Sequence, residues 1–376
     1  AADVLKKIYG ETEESSARYT NLAVNFEKKY HHDKAEFFTA PGRTEIIGNH
    51  VDHNGGQIIA ASIDLDTIGA AYPNGTNVIH MISEGYKQEV VVDLDKLSTE
   101  TYTKGTDALV AGIMEYMQKK GYATGGFDAY VSTKVIAAAG VSSSASFEML
   151  VCAIANYFFN EGKLEYGEYA RAGQYAENVY WKKASGLMDQ MASSVGGLVY
   201  IDFADPKNPI VEKVDYDFVH SGYTLCTIDS GADHADLTDE YAAMPVEMKA
   251  VAAFFGKEVL HDVDEAAFYR HIAEVRKVTG DRAVLRAIHF FNENRRVKSQ
   301  VRALKDGDFD AFLHFVNASG MASWTLLQNV TPAGYIQKQD MAFTIALCQQ
   351  LLEGEGAVRI HGGGFAGTAL AFVPND

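Results

Sequence analysis

The sequence predicts an α+β protein of two domains. Three observations point there. The chain has 376 residues, about two domains' worth, and 47% of them are apolar, enough for a core in each half. Its first half alternates short strand-like runs with helical stretches. Its second half is mainly helical and closes on two strands.

In chain order, 58–63, 67–72, 78–82 and 89–92 read as strands because β-rich runs there are punctuated by Gly, Asn and Pro. Leu109, Ile113, Tyr116 and Met117 recur at helical spacing within 107–119, and 126–132 returns to a strand. A Gly/Ser loop at 140–145 feeds a helix whose apolar face is Phe147, Leu150, Val151, Ile154 and Phe158. Helical character resumes over 166–182 and 187–195, separated by a turn at Ser185-Gly186, and 197–202 is extended. Ala204–Pro209 has the Asp, Asn and Pro content of a connector, which places the division near residue 206, with domains at 1–205 and 206–376. Beyond it, 223–228 is a strand, and 237–255, 265–275, 282–304, 308–323 and 336–352 are helical. Strands at 358–360 and 368–373 close the chain.

Charge narrows the function. Lys plus Arg number 33 against 50 Asp plus Glu, a net charge of −17, with no dense basic block. That excludes a nucleic-acid footprint and disfavours an anionic membrane surface as partner. A nucleotide is still admissible, because backbone amides and Mg²⁺ hold a small anion locally. Cys152, Cys226 and Cys348 lie in apolar surroundings without short mutual spacing, so buried thiols in a reducing cytoplasm are expected, not disulfides or a zinc site. The first 16 residues are charged and lack an apolar core, so no signal peptide is expected, and 135–159 is broken by Ser142, Ser143, Ser144, Ser146 and Glu148 and is too polar to span a membrane. A cytoplasmic monomer is the expectation. Glycosylation-type matches at Asn74, Asn317 and Asn329 therefore carry little weight.

Several catalytic signatures are missing: the P-loop, the H-E-x-x-H zinc motif, the protein-kinase set and the G-x-S-x-G elbow. Gly362-Gly363-Gly364-Phe365-Ala366-Gly367 fits G-x-G-x-x-G, but it leads into a strand near the C-terminus, where a dinucleotide fingerprint should open a helix early in the chain. His361 with the three glycines imitates an esterase oxyanion loop without a nucleophile to serve.

Three segments hold the remaining polar density. Gly140–Ser144 is either a phosphate cradle at a helix N-terminus or a serine cap on an ordinary buried helix. Pro41–Gly56, rich in polar side chains flanked by glycines, either reads the hydroxyls of a polar ligand or is a polar surface turn. Asp189 sits among Leu187, Met188, Met191 and Val195, with Glu177 upstream; a carboxylate there is paired, capping or catalytic.

Together and in order, these segments resemble the GHMP kinases (galacto-, homoserine, mevalonate and phosphomevalonate kinases) and, within them, the galactokinases, over most of the chain. The family pattern looks like G-R-x-N-x-I-G-E-H-x-D-Y-x-G-G, where this chain reads Gly42-Arg43-Thr44-Glu45-Ile46-Ile47-Gly48-Asn49-His50-Val51-Asp52-His53-Asn54-Gly55-Gly56. G-L-S-S-S-A-S is met by 140–146, G-I-M-D-Q by Gly186-Leu187-Met188-Asp189-Gln190, and G-G-G-F-G-G by 362–367. The resemblance implies a two-domain fold with the active site in the cleft, and ATP-dependent, Mg²⁺-assisted phosphorylation of the anomeric hydroxyl of a sugar. It implies that Gly140, Val141, Ser142, Ser143, Ser144 and Ala145 form the ATP phosphate loop, and that Ser144 and Glu177 hold Mg²⁺ through hard oxygen donors. It implies Asp189 as base or electrostatic anchor at the C1 hydroxyl, with Arg43 beside it. Asn49, His50, Asp52 and Tyr241 would contact the sugar, and the glycines at 362–364 would buttress the phosphate loop.

Departures bear on the substrate. The family's Glu is Asn49 here and its Tyr is His53. An amide donates as well as accepts and removes a charge, so galactose is expected, with galacturonate, galactosamine or L-arabinose as the alternative. Ala138-Ala139 and Ala366 replace residues the family carries as Pro or Gly, the last expected to tighten its loop slightly. Family members usually continue past the third motif, so a terminal segment beyond Asp376 is expected. A non-catalytic sugar and ATP sensor is the reading from another class; the intact serine loop with Arg43, Glu177 and Asp189 argues for catalysis.

Overall fold

The computed structural model describes residues 1–376 apart from 138, 139, 184, 234 and 235, so the Ala138-Ala139 exchange, expected to be tolerated in packing, lies outside the described residues. Its contacts fall into two compact units: residues 1–43, 62–137 and 141–196 form the first, and residues 44–61, Gly140 and 197–376 the second.

In the first unit, α1 (Ala2–Tyr9) and α2 (Glu13–Tyr30) precede β1 (Glu36–Ile47), whose last four residues belong to the second unit. The reading above passed over both helices. α1 buries no residue although Val4, Leu5 and Ile8 share one face of it, and α2 buries only Ser15, Leu22 and Phe26. The two strands read at 58–63 and 67–72 are one strand, β2 (Gln57–Pro73), and it pairs with β1. Next come β3 (Val78–Ser83), β4 (Val90–Asp93), α3 (Gly105–Lys119), β5 (Phe127–Thr133), α4 (Ser143–Phe159), α5 (Tyr166–Tyr175) and α6 (Met188–Val195). Residues 67–73 of β2 pair antiparallel with β5, which runs parallel to β3, which is antiparallel to β4.

Side chains alternate across this sheet. Ile68 and Ala70 face Leu22 and Phe26 of α2. Ala71, Ala129 and Val131 join Ile113, Met114, Leu150 and Ile154 of α3 and α4 on the opposite side. Gly69 lies on the α4 side, where a Cβ would come within 3.3 Å of Leu150 Cδ2, so its bareness lets that helix seat.

In the second unit, β6 (Leu198–Asp202) pairs antiparallel with residues 57–61 of β2 and with β7 (Ile210–Val214). Ala204–Pro209, read as an interdomain connector, is therefore the loop of a hairpin whose register pairs Asp202 with Ile210. Pro and Asn mark tight turns as well as linkers. The compact units accordingly part after Gly196, and residues 44–61 group with the C-terminal half, unlike the division expected at 206.

Then follow β8 (Tyr223–Asp229), α7 (Thr238–Phe254), α8 (Glu265–Arg270), α9 (Ile272–Thr279), α10 (Asp281–Lys305), α11 (Phe309–Ala322), α12 (Asp340–Leu352), β9 (Ala357–Ile360) and β10 (Thr368–Pro374). Two expectations shift: 265–275 is two short helices, and α12 starts at Asp340, not 336. Strands β8, β10 and β9 form an antiparallel sheet. Leu370 and Phe372 face Val297, Val301, Phe312 and Val316 of α10 and α11. Ala369 and Ala371 face Met341, Ala342 and Ile345 of α12. Of the cysteines, Cys152 is buried, whereas Cys226 and Cys348 are only partly so; all three are free thiols. Among the described residues no helix is long and apolar enough to cross a membrane.

Candidate active site

In the first unit the serine loop leads into α4. Arg43 N donates to Val141 O at 3.0 Å, which pins the loop to β1. Ser142 adopts a left-handed backbone, φ 59° and ψ 66°, and makes no capping bond. Its hydroxyl donates instead to Asp189 Oδ2 at 2.7 Å. At the N-cap position of α4, the Ser142 side chain therefore meets a carboxylate and makes no capping bond. The first-turn N–H groups of α4 have no intrahelical partner. Ser143 and Ser144, both partly accessible, line a cavity of about 250 Å³ with Ser83, Tyr86, Gln88 and Trp181 among its walls. Ala145 is buried, and Ser146 donates to Ala40 O at 2.8 Å.

Asp189 is the second residue of α6, where the helix dipole favours a negative charge. Arg43 Nε donates to its Oδ1 at 2.7 Å. Burial pushes the carboxyl pKa up, but Arg43, the Ser142 hydroxyl and Lys183 more than reverse this and hold it below the ordinary value. Asp189 is thus an anion that keeps 35% of its side-chain surface accessible.

Glu177 lies in a π-helical turn, Ala176–Tyr180, that continues α5, and is 2% exposed. Lys183 Nζ donates to its Oε1 at 3.3 Å, and Gln190 Nε2 donates to its Oε2. Gln190 Nε2 also donates to Glu148 Oε1, at 3.2 Å. Burial raises the pKa of both carboxyls, that of Glu148 well above the usual range, with Glu177 adding to it. The structure thus joins Arg43, Ser142 and Asp189 directly; it bonds Glu177 to Lys183 and Gln190, and not to Ser144, among the described residues. Glu148 and Lys183 were missed as members of the site. Glu148 had a signal, a lone acid on an otherwise apolar helix face; Lys183 had none.

The second unit gathers the other motif residues. Pro41–Ile47 is not a surface turn but the buried end of β1; only 48–56 turns. Gly140, at φ 72°, has Thr368 Oγ1 3.0 Å and His361 Nδ1 3.1 Å from where a Cβ would stand. Asn49 Nδ2 donates to Gly362 O at 2.5 Å and to Glu45 Oε1 at 3.3 Å, and its Oδ1 accepts from Asn329 Nδ2 at 2.6 Å. Its backbone is held as well: N donates to Glu293 Oε2 at 3.2 Å, and O accepts from His289 Nε2 at 2.8 Å. His50 Nε2 donates to Gly363 O at 2.8 Å, and Tyr241 OH to Gly364 O at 2.7 Å. Three successive carbonyls of the glycine loop are thus each met by a residue expected to touch sugar.

Burial lowers the His50 pKa to about 4, so the ring is neutral, and Nε2 carries its proton because a carbonyl is its partner. Burial pushes Tyr241 up to about 12. Against the cost of burial, His289, Arg296, Arg359 and the Ser319 hydroxyl bring Glu293 down to about 2. Asp52 opens a short 3₁₀ turn, Asp52–Asn54, and is partly accessible, with His53 Nε2 3.9 Å from its Oδ1. Asn329 is fully buried, which removes it as a glycan acceptor. Ala366 N donates to Gly364 O at 2.7 Å, closing a tight turn.

Residues 25–73 match the galactokinase galactose-binding signature, and residues 108–197 match the N-terminal domain of the GHMP kinases. The chain is similar in structure to a Lactococcus lactis galactokinase complexed with galactose, at 24% identity and TM-score 0.79, covering 95% of this chain and 90% of that one. It is also similar to a Methanococcus jannaschii mevalonate kinase (13% identity, TM-score 0.62, 91% and 92% covered). A Streptococcus pneumoniae phosphomevalonate kinase in complex with phosphomevalonate and AMPPNP is a further match (11%, TM-score 0.61, 91% and 93%). At these identities the likeness is one of fold.

Proposed function

We propose that this chain, which matches the galactokinase galactose-binding signature and the N-terminal domain of the GHMP kinases, is a galactokinase-like sugar kinase that phosphorylates the C1 hydroxyl of D-galactose with ATP. The observation that carries this reading is the Arg43–Asp189–Ser142 cluster at the start of α4. It joins an anion able to receive a hydroxyl, a fixed cation and the first serine of the loop.

Phosphoryl transfer asks for positioning and charge compensation more than for a strong base. Asp189, held ionised, accepts the hydrogen bond of the C1 hydroxyl and orients its oxygen; its lowered pKa makes it an anchor that takes the proton late. Arg43 steadies that carboxylate and the charge developing beside it. The first-turn N–H groups of α4, with the hydroxyls of Ser143 and Ser144, receive phosphate oxygens. The cavity beside them, walled by Tyr86 and Trp181, suits the base. A hydroxyl and a carboxylate suit Mg²⁺, so Ser144 and Glu177 would hold it, and the ion would offset phosphate charge.

Asp52 is the motif residue best placed to read a sugar hydroxyl, since Asn49 has both faces of its amide engaged. This supports galactose over a relative, because the exchange at 49 need not redirect the pocket. The chain is proposed to work in the cytoplasm as a monomer. Turnover of Mg²⁺-ATP with D-galactose, galacturonate, galactosamine, glucose and L-arabinose tests the reading. A clear preference for galactose is expected. Turnover of another sugar alone would overturn the substrate, and tight sugar binding without turnover of any would overturn the chemistry.

A further inference from the structure

Gln190 follows Asp189 in α6 and is 2% exposed. A primary amide has two N–H donors. Here they go to two different carboxyls on two different elements: Glu177 in the turn after α5, and Glu148 in α4, which is fully buried. The space is cleared for this. At Gly173 of α5 a Cβ would stand 2.4 Å from Glu148 Oε1 and 3.0 Å from Gln190 Cγ, so any side chain there would break the bridge.

The two oxygens of Glu177 are thereby made unequal. Oε2 is drawn inward to Gln190, while Oε1 meets Lys183, whose side chain is 62% exposed. A buried polar bridge of this kind is a costly way to fill a core. Its return is orientation, as with the outer partners that aim the ligands of a metal ion.

We propose that Gln190, anchored by Glu148, is the positioning residue for Glu177: it holds one carboxylate oxygen among α4, α5 and α6 and turns the other outward to receive the divalent ion. The proposal rests on the reading that Glu177 holds that ion. Gln190→Met keeps length and volume but removes both donors. It should weaken Mn²⁺ binding in the presence of AMPPNP, followed by electron paramagnetic resonance, by roughly 10–100-fold. The Mg²⁺ concentration for half-maximal turnover should rise in parallel while KM for the sugar stays level. Glu148→Gln, which still offers Gln190 an acceptor, should weaken Mn²⁺ binding less than Gln190→Met does, whereas Glu148→Leu should weaken it as much. Gln190→Asn, one methylene short of bridging, gives the same readout if the Met variant does not fold. Unchanged Mn²⁺ affinity in Gln190→Met or Gln190→Asn, alongside its loss in Glu177→Gln, would overturn the positioning role and leave the reading of Glu177 intact. Unchanged affinity in Glu177→Gln itself would overturn that reading first.

Discussion

The two units treat their motif residues in opposite ways. In the first, Arg43 and Ser142 both donate to Asp189, and the carboxylate keeps an accessible face. In the second, Asn49, His50 and Tyr241 are committed to the backbone of the glycine loop, one carbonyl each. Equal density of polar residues in a motif therefore does not mean equal chemistry. One set retains capacity for a ligand; the other shapes a loop.

The largest effect should come from Asp189→Asn. Turnover should fall by roughly 10²–10⁴-fold, with calorimetric sugar binding and the melting curve largely kept; a lost fold would move Asp189 to the architectural side of the comparison. Asn49→Asp is the converse probe. It keeps shape but sets an acceptor against Gly362 O and Glu45, so stability should drop by about 1–3 kcal/mol. Turnover of every sugar should then fall together, with the preference among them unchanged. A shifted preference would make Asn49 a specificity residue after all. Asn49→Glu, which the sequence would have favoured as a route back to the family pocket, should destabilise for the same reason.

Acid should discriminate between the units. His50 titrates at about 4 folded against 6.5 unfolded, so the unfolded chain binds the extra proton between those values. That stability is complete above pH 6.5 and is lost as pH falls toward 4. Glu293, at about 2 against 4.5, adds a second loss from pH 4.5 downward. Each is worth on the order of 3 kcal/mol. Hydrogen-exchange protection at 361–367, relative to the intrinsic rate at each pH, should fall below pH 6.5 while α4 stays protected until the carboxylate range. Simultaneous loss in both would show that the two respond as one. The smallest effect belongs to Lys183→Met: the pair with Glu177 is mostly exposed on the lysine side, so stability should change by less than about 1 kcal/mol.

The fold was legible where periodicity was strong. The helix around Leu150 and Ile154 and the closing strands lie where the spacing placed them, because one face of each is continuously apolar. Helices α1 and α2 were passed over: α1 carries its period in only Val4, Leu5 and Ile8 over two turns, and α2 has a mixed polar sequence that buries three residues. The division near 206 failed for a different reason: Asp, Pro and Asn make the same mark in a linker and in a hairpin loop, and only strand pairing across them tells the two apart. In the site, residue types singled out Asp189 and the serine loop as candidates without deciding between their readings, and the structure brings Ser142 and Asp189 into contact. Residue types could not foresee that Asn49 would be enclosed by Asn329, Glu293 and His289, partners more than two hundred positions away in the chain.

Ser142 carries a consequence for anyone who would improve this protein. A left-handed backbone at a residue other than glycine costs about 1 kcal/mol, and selection for heat resistance alone would readily trade Ser142 for glycine. That trade would remove the hydroxyl from Asp189, so a library scored by survival on heating would drift toward hardier molecules with a mis-set anion. Screening for turnover at each round would keep the strained serine in place.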